Sequence, residues 1–121
     1  GLRRDWRVTW IYKLLGKADW EAAMAAGRFA GAGVDLEDGY IHFSTALQCA
    51  ETARKYYLGR TALMILEVES EGLGAGLKWE PSRGGDLFPH LYRPLEISEV
   101  IDARDVALGG GGVPVLGDLR P

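Results

Sequence analysis

Scarcity sets the first limits on this chain of 121 residues: it has one cysteine, Cys49, and two histidines, His42 and His90. A lone cysteine closes no internal disulfide, so the fold must rest on its core, and the chain is predicted to work in a reducing, cytoplasmic setting. No apolar run is long enough to span a bilayer, and the first residues lack the basic-then-apolar order of a secretion signal. Positive charge is also short: 14 basic against 17 acidic residues leave a net charge of −3. Only Arg3, Arg4 and Arg7 cluster, and three basic residues make a solvated arm rather than a track for phosphates, so no nucleic-acid partner is expected. Neither the dinucleotide-binding nor the Walker glycine pattern follows any strand-like segment, which argues against a Rossmann or P-loop domain.

What remains is ordinary globular material, 47% hydrophobic with four Trp, five Tyr and three Phe. At this length a single core buries roughly two thirds of the unfolded surface. The segment Val8 to Leu15 reads as a strand, and Ala18 to Ala26 as a helix with Asp19 and Glu21 in its first turn, Trp20, Ala23 and Met24 on one face, and a stop at Gly27. Residues 29–38 read as a loop, and Tyr40 to Phe43 as a strand. Thr45 and Gln48 then form a capping-box pattern opening a second helix, in which Leu47, Ala50, Ala53 and Tyr57 recur at helical spacing up to Gly59. The run Ala62 to Val68, apolar except at Glu67, suits a central strand buried on both faces. Leu77 to Glu80 and Leu91 to Arg93 read as strands flanking a long hairpin loop, Leu95 to Glu99 as a turn or short helical piece, and Val100 to Ala103 as a last strand. Two helices early and mostly strands later predict an α+β fold with a largely antiparallel or mixed sheet. Residues 1–108 form one domain in this reading, with 109–121 a glycine-rich linker and tail.

Both histidines sit among ligand-friendly neighbours. In an extended Tyr40 to Ser44, a period of two places Tyr40, His42 and Ser44 on one face, next to a helix N-terminus that favours negative charge. The alternative is scaffolding, with Ser44 or Thr45 as a cap and His42 as a hydrogen-bonded structural residue. Around His90, Trp79 offers a stacking surface, Glu80 a carboxylate, Arg83 a bidentate anion clamp, and Gly84-Gly85 a backbone that can approach a ligand, with Tyr92 close by. The alternative again is structural: a surface hairpin with turn glycines and core aromatics. A metal site is disfavoured, because no two ligand residues share a helix or close spacing. Ser44 lacks a nucleophile elbow, and Cys49 lacks any activating neighbour.

Four motifs in order, Ile11-Tyr12-Lys13, Gly39-Tyr40-Ile41-His42-Phe43-Ser44-Thr45 with Gln48 and Ala53, Leu77-Lys78-Trp79-Glu80-Pro81, and Phe88-Pro89-His90-Leu91-Tyr92, resemble the DUF952 family of small bacterial proteins over about residues 10–108. The resemblance implies an ADP-ribosylation-type fold: two small twisted sheets around a cleft, about two flanking helices, and NAD as the ligand of more distant relatives. Against the ADP-ribosyltransferase pattern, Tyr12-Lys13 replaces the usual first-strand Arg or His, His42 with Ser44-Thr45 replaces Ser-Thr-Ser, and Glu80 is the counterpart of the late Glu. The resulting expectation is a cleft for NAD, ADP-ribose or a related phosphorylated nucleotide, with ADP-ribosyl transfer or glycosidic cleavage as its chemistry. In it Glu80 and His42 carry chemistry, and Lys13, Tyr40, Ser44, Thr45, Trp79, Arg83, His90 and Tyr92 bind ligand. The competing expectation is a non-catalytic ligand-binding or protein-interaction module whose histidines are structural.

Overall fold

The computed structural model describes residues 8–121, with the Arg83 side chain left out; the cluster Arg3, Arg4 and Arg7 lies outside the described residues. The chain is α+β. Strands β1 (Trp10–Gly16), β4 (Ser44–Thr45), β5 (Leu63–Glu69), β9 (Val100–Leu108) and β10 (Pro114–Val115) form a five-stranded antiparallel sheet in the order β10-β9-β5-β1-β4. A second sheet holds β3 (Ile41–His42), β7 (Leu87–Leu91) and β6 (Leu77–Pro81) in that order, and β2 (Arg28–Phe29) pairs with β8 (Leu95–Glu96) in a third. The helices are α1 (Lys17–Ala26), α2 (Val34–Asp38) and α3 (Ala46–Tyr56).

Strand alternation explains the layering. On β1, Ile11 and Leu15 join a core with Trp20 and Ala23 of α1, Phe29, Ile41, Phe43 and Leu91, while Tyr12 and Leu14 join a second core with Cys49 and Ala53 of α3. The five-stranded sheet is therefore covered on both faces, and β5 runs through its middle as the apolar run requires. Gly27 ends α1 at φ 85°, where a left-handed residue lets its N–H reach the Ala23 carbonyl at 2.8 Å; glycine suits this position because it has no Cβ to clash.

Several expectations are corrected. The segment 29–38 is not a plain loop: it contains β2 and the five-residue helix α2, which is bounded by Gly33 and Gly39, both at positive φ. On α1, Met24 is half exposed, leaving Trp20 and Ala23 to face the core. On α3 the buried stripe is Cys49 and Ala53, whereas Leu47 is 93% exposed and Ala50 also faces solvent; helical spacing alone fixes the stripe's width, not its direction. The strand expected over Tyr40 to Phe43 breaks at Phe43, so the chain leaves the three-stranded sheet after His42 and enters the five-stranded sheet at Ser44. The last strand extends to Leu108. After the turn at Gly110–Gly112, β10 adds to β9. Beyond β10, Arg120 pairs with Glu67 at 2.8 Å and lies over the Trp10 ring at 3.7 Å, and Leu116 and Leu119 pack against the α3-side core.

The Thr45 capping box is present: the Thr45 hydroxyl accepts from the Gln48 N–H at 3.3 Å, and the Gln48 side-chain oxygen accepts from the Thr45 N–H at 3.0 Å. Thr45→Ala is expected to cost about 1 kcal/mol in urea unfolding, whereas Leu47→Ser should change stability by no more than about 0.5 kcal/mol.

Candidate functional site

The change of sheet between His42 and Ser44 opens the cleft. Strand β4 pairs with β1 only at Ile11 and Tyr12. Past that point the edge of β1 from Lys13 to Gly16 lines a cavity of about 550 Å³, whose walls also include Tyr40, His42, His90, Tyr56, Tyr57 and Arg60.

One buried carboxylate organises this end of the molecule. Asp35 on α2 is 2% exposed. Its Oδ2 meets Lys13 Nζ at 2.8 Å and accepts the Ala32 N–H at 3.1 Å, while its Oδ1 takes the His42 N–H at 3.0 Å and His42 Nδ1 at 2.6 Å. Burial works against the carboxylate's charge, but the hydrogen bonds from His42 and the nearby Lys13 outweigh it and hold Asp35 at about 2. Burial lowers Lys13 from its ordinary value, with the Asp35 carboxylate opposing. The other nitrogen of His42, Nε2, faces Asp38 Oδ2 at 2.9 Å. The ring is thus held at both nitrogens, and both contacts are donated N–H bonds only when it carries two protons.

The second histidine is built differently. His42 and His90 stand opposite each other across β3 and β7, their ring centroids 5.4 Å apart, and Tyr40 covers both, stacked on His90 at 4.2 Å and tilted on His42 at 4.6 Å. The His90 side chain is 5% exposed, with Nδ1 against Glu80 Oε1 at 2.7 Å. The same oxygen accepts the Tyr92 hydroxyl at 2.7 Å. These bonds, from His90 first and Tyr92 second, lower Glu80 from the ordinary carboxylate range, while the bond to Glu80 pushes the Tyr92 hydroxyl up to about 12.

The expected site residues therefore divide. Lys13, Tyr40, His42, Ser44 and His90 line the cleft. Lys13 is not available to a ligand, because its ammonium is committed to Asp35 inside the core. Ser44 Oγ is turned to Thr52 Oγ1 on α3 at 2.9 Å. Glu80 and Tyr92 do not line the cavity; they stand behind His90 and fix it. Thr45 caps α3. Trp79 alternates with Glu80 on β6, so it points to the opposite face of that sheet and is not brought to the cleft. The side chain of Arg83 lies outside the described residues. Sequence reasoning missed Asp35, Asp38 and Arg60; the signal for the two aspartates was their spacing of three before Gly39, which places both on one side of a helical turn. Cys49 reaches the cleft wall, but burial pushes its thiol up to about 12, which leaves it without nucleophilic character. Among the described residues no group of three or more His, Cys, Asp or Glu is placed to hold a metal ion, and no helix is long and apolar enough to cross a membrane.

Fold and site together define an α+β domain with a cleft beside a splayed antiparallel sheet and a histidine–carboxylate cluster on one wall. The chain belongs to the family described as protein of unknown function (DUF952), whose model matches residues 14–103. It is similar to protein CC0527 from Caulobacter crescentus: the crystal structure is 56% identical with a TM-score of 0.88, covering 90% of this chain and 96% of that one. The solution NMR structure of the same protein is 56% identical with a TM-score of 0.81, covering 89% and 93%. No curated protein matches the chain.

The Asp35 carboxylate sets a pH dependence. Its folded value is depressed, so its contribution is complete above the ordinary carboxylate value near 4 and is lost as pH falls through about 2. Urea unfolding from pH 5 to pH 2 is expected to show a loss on the order of 2 kcal/mol from this group. Asp35→Asn, less stable at pH 5, should have a flatter acid limb; an equally steep limb would place the loss elsewhere.

Proposed function

We propose that the cleft binds NAD, ADP-ribose or a related phosphorylated nucleotide, in a domain of the ADP-ribosylation type, and that its chemistry is cleavage or transfer at the N-glycosidic bond. The observation that carries this reading is the pair of unlike groups in the cavity lining: Tyr40 over two histidines with Asp38 beside them, and Arg60, whose guanidinium lies 5.1 Å from the centre of the Tyr57 ring. A ribose and its ring suit the first group, where a flat aromatic face and an acidic neighbour favour the positive charge that grows on the sugar as the bond breaks. A phosphate suits Arg60, which offers a fork of donors. The volume is within the range of small-ligand sites. Asp38 takes the charge-stabilising part on the wall, with Glu80 one ring further back.

Calorimetric titration with NAD and with ADP-ribose tests the reading. Binding is expected, with Tyr40→Ala weakening both nucleotides and Arg60→Gln weakening ADP-ribose more than unphosphorylated ribose. No heat from either nucleotide at millimolar concentration, or variants that bind as well as the parent, would remove it.

A second reading has its own support. His42 has both ring nitrogens and its backbone N–H engaged by Asp35 and Asp38, the pattern of a structural histidine in a non-catalytic ligand-binding or protein-interaction module. It predicts that His42→Ala lowers the melting temperature by several degrees; an unchanged melt contradicts a structural role for this ring.

A further inference from the structure

The two histidines, so alike in their sequence surroundings, differ in the one property that decides whether a ring can move a proton. His42 spends both nitrogens on carboxylates. His90 spends only Nδ1, on Glu80 at 2.7 Å, and among the described residues nothing hydrogen-bonds its Nε2, although the side chain is nineteen-twentieths buried and lines the cleft. A buried polar nitrogen without a protein partner calls for an explanation, and one on a cavity wall is open to water or to a ligand in the cavity.

Resting on the reading of the cleft as a nucleotide site, we propose that His90 is its general base, with Nε2 accepting the proton of the water that attacks the ribose carbon of a bound N-glycoside, and that Glu80 is the positioning residue that sets the ring for this work. Glu80 is ionised and can only accept, so His90 Nδ1 must donate to it; in the neutral ring the lone pair then sits on Nε2. Tyr92 holds the same carboxylate oxygen, and Tyr40 stacked at 4.2 Å fixes the plane of the imidazole. Residue 90 also lies on β7, the middle strand of its sheet, a rigid mount for a catalytic group. This is the arrangement in which a carboxylate behind a histidine chooses the tautomer rather than taking a proton itself.

The step balances without any further reagent. Water loses a proton to Nε2 as its oxygen bonds to the anomeric carbon. The carbon–nitrogen bond breaks with its electron pair passing to the leaving base, which for NAD departs as neutral nicotinamide. The imidazolium then returns its proton to solvent.

Nicotinamide release and NAD binding, measured side by side on the whole chain, test the proposal, together with ¹⁵N NMR of the His90 ring. The parent is expected to bind and cleave NAD. His90→Ala should lose at least about a hundredfold in kcat with NAD affinity kept, and added imidazole should restore part of the rate. Should that variant not fold, Glu80→Gln serves instead, being at a half-exposed position: it should lower kcat with KM unchanged and shift the ring proton from Nδ1 toward Nε2. If the parent binds NAD but releases no nicotinamide, or His90→Ala cleaves as the parent does, or the Nε2 of the free parent carries the proton of the neutral ring, the base role is overturned and the nucleotide site stands. If neither nucleotide binds, the site reading fails and takes the base role with it.

Discussion

The carboxylate of Asp35 is the constraint on which the rest of this site depends. It brings together β1 through Lys13, the loop before α2 through the Ala32 N–H, and β3 through both the backbone and the ring of His42. A charge taken this far out of water is tolerable only when its oxygens are filled with donors, and four donors converge here. The arrangement fixes His42 on β3, and through the pairing of β3 with β7 it fixes where His90 stands. A buried ion pair of this kind adds little to stability over an apolar substitute, but losing one partner strands the other, so it specifies geometry more than it strengthens the fold.

From that anchor the cleft follows. The chain must reach the five-stranded sheet two residues after His42, and only two residues of β4 pair with β1 before α3 begins. The remaining edge of β1 is left beside a cavity instead of a strand. Tyr40 covers both histidines, and Glu80 backs the one whose Nε2 has no hydrogen-bond partner among the described residues. Each wall of the cleft is thus set by elements that also build the core, an economical way for a domain of this size to hold a site rigid.

Much of this could be read from the residues. The capped start of α3, the central apolar strand and the glycine stop of α1 all carried local signals that tertiary structure had no reason to override, and the family motifs brought His42 and His90 to one site. The hairpin around residues 82–86 was legible, but its loop is shorter than expected and its second strand is Leu87–Leu91 rather than Leu91 to Arg93. The failures have physical causes. A five-residue α2 is too short to show a helical period, and its one buried residue is a charged one, so hydropathy pointed away from it. Lys13 was expected to bind ligand because its partner lies 22 residues on and leaves no trace in spacing. Glu80 was placed in the cleft as the counterpart of the late Glu that the resemblance implies, but a sequence motif does not say whether a side chain stands before or behind a ring. Leu47 was assigned to the buried stripe because helical spacing does not say which stripe meets the sheet.

The most direct measurement of the central claim is the pH titration of the Asp35 side-chain carboxyl carbon by ¹³C NMR. A buried, ionised anchor held by Lys13 and His42 predicts a midpoint at about 2. A midpoint near 4 or above, the range of an unassisted or merely buried carboxyl, would contradict it.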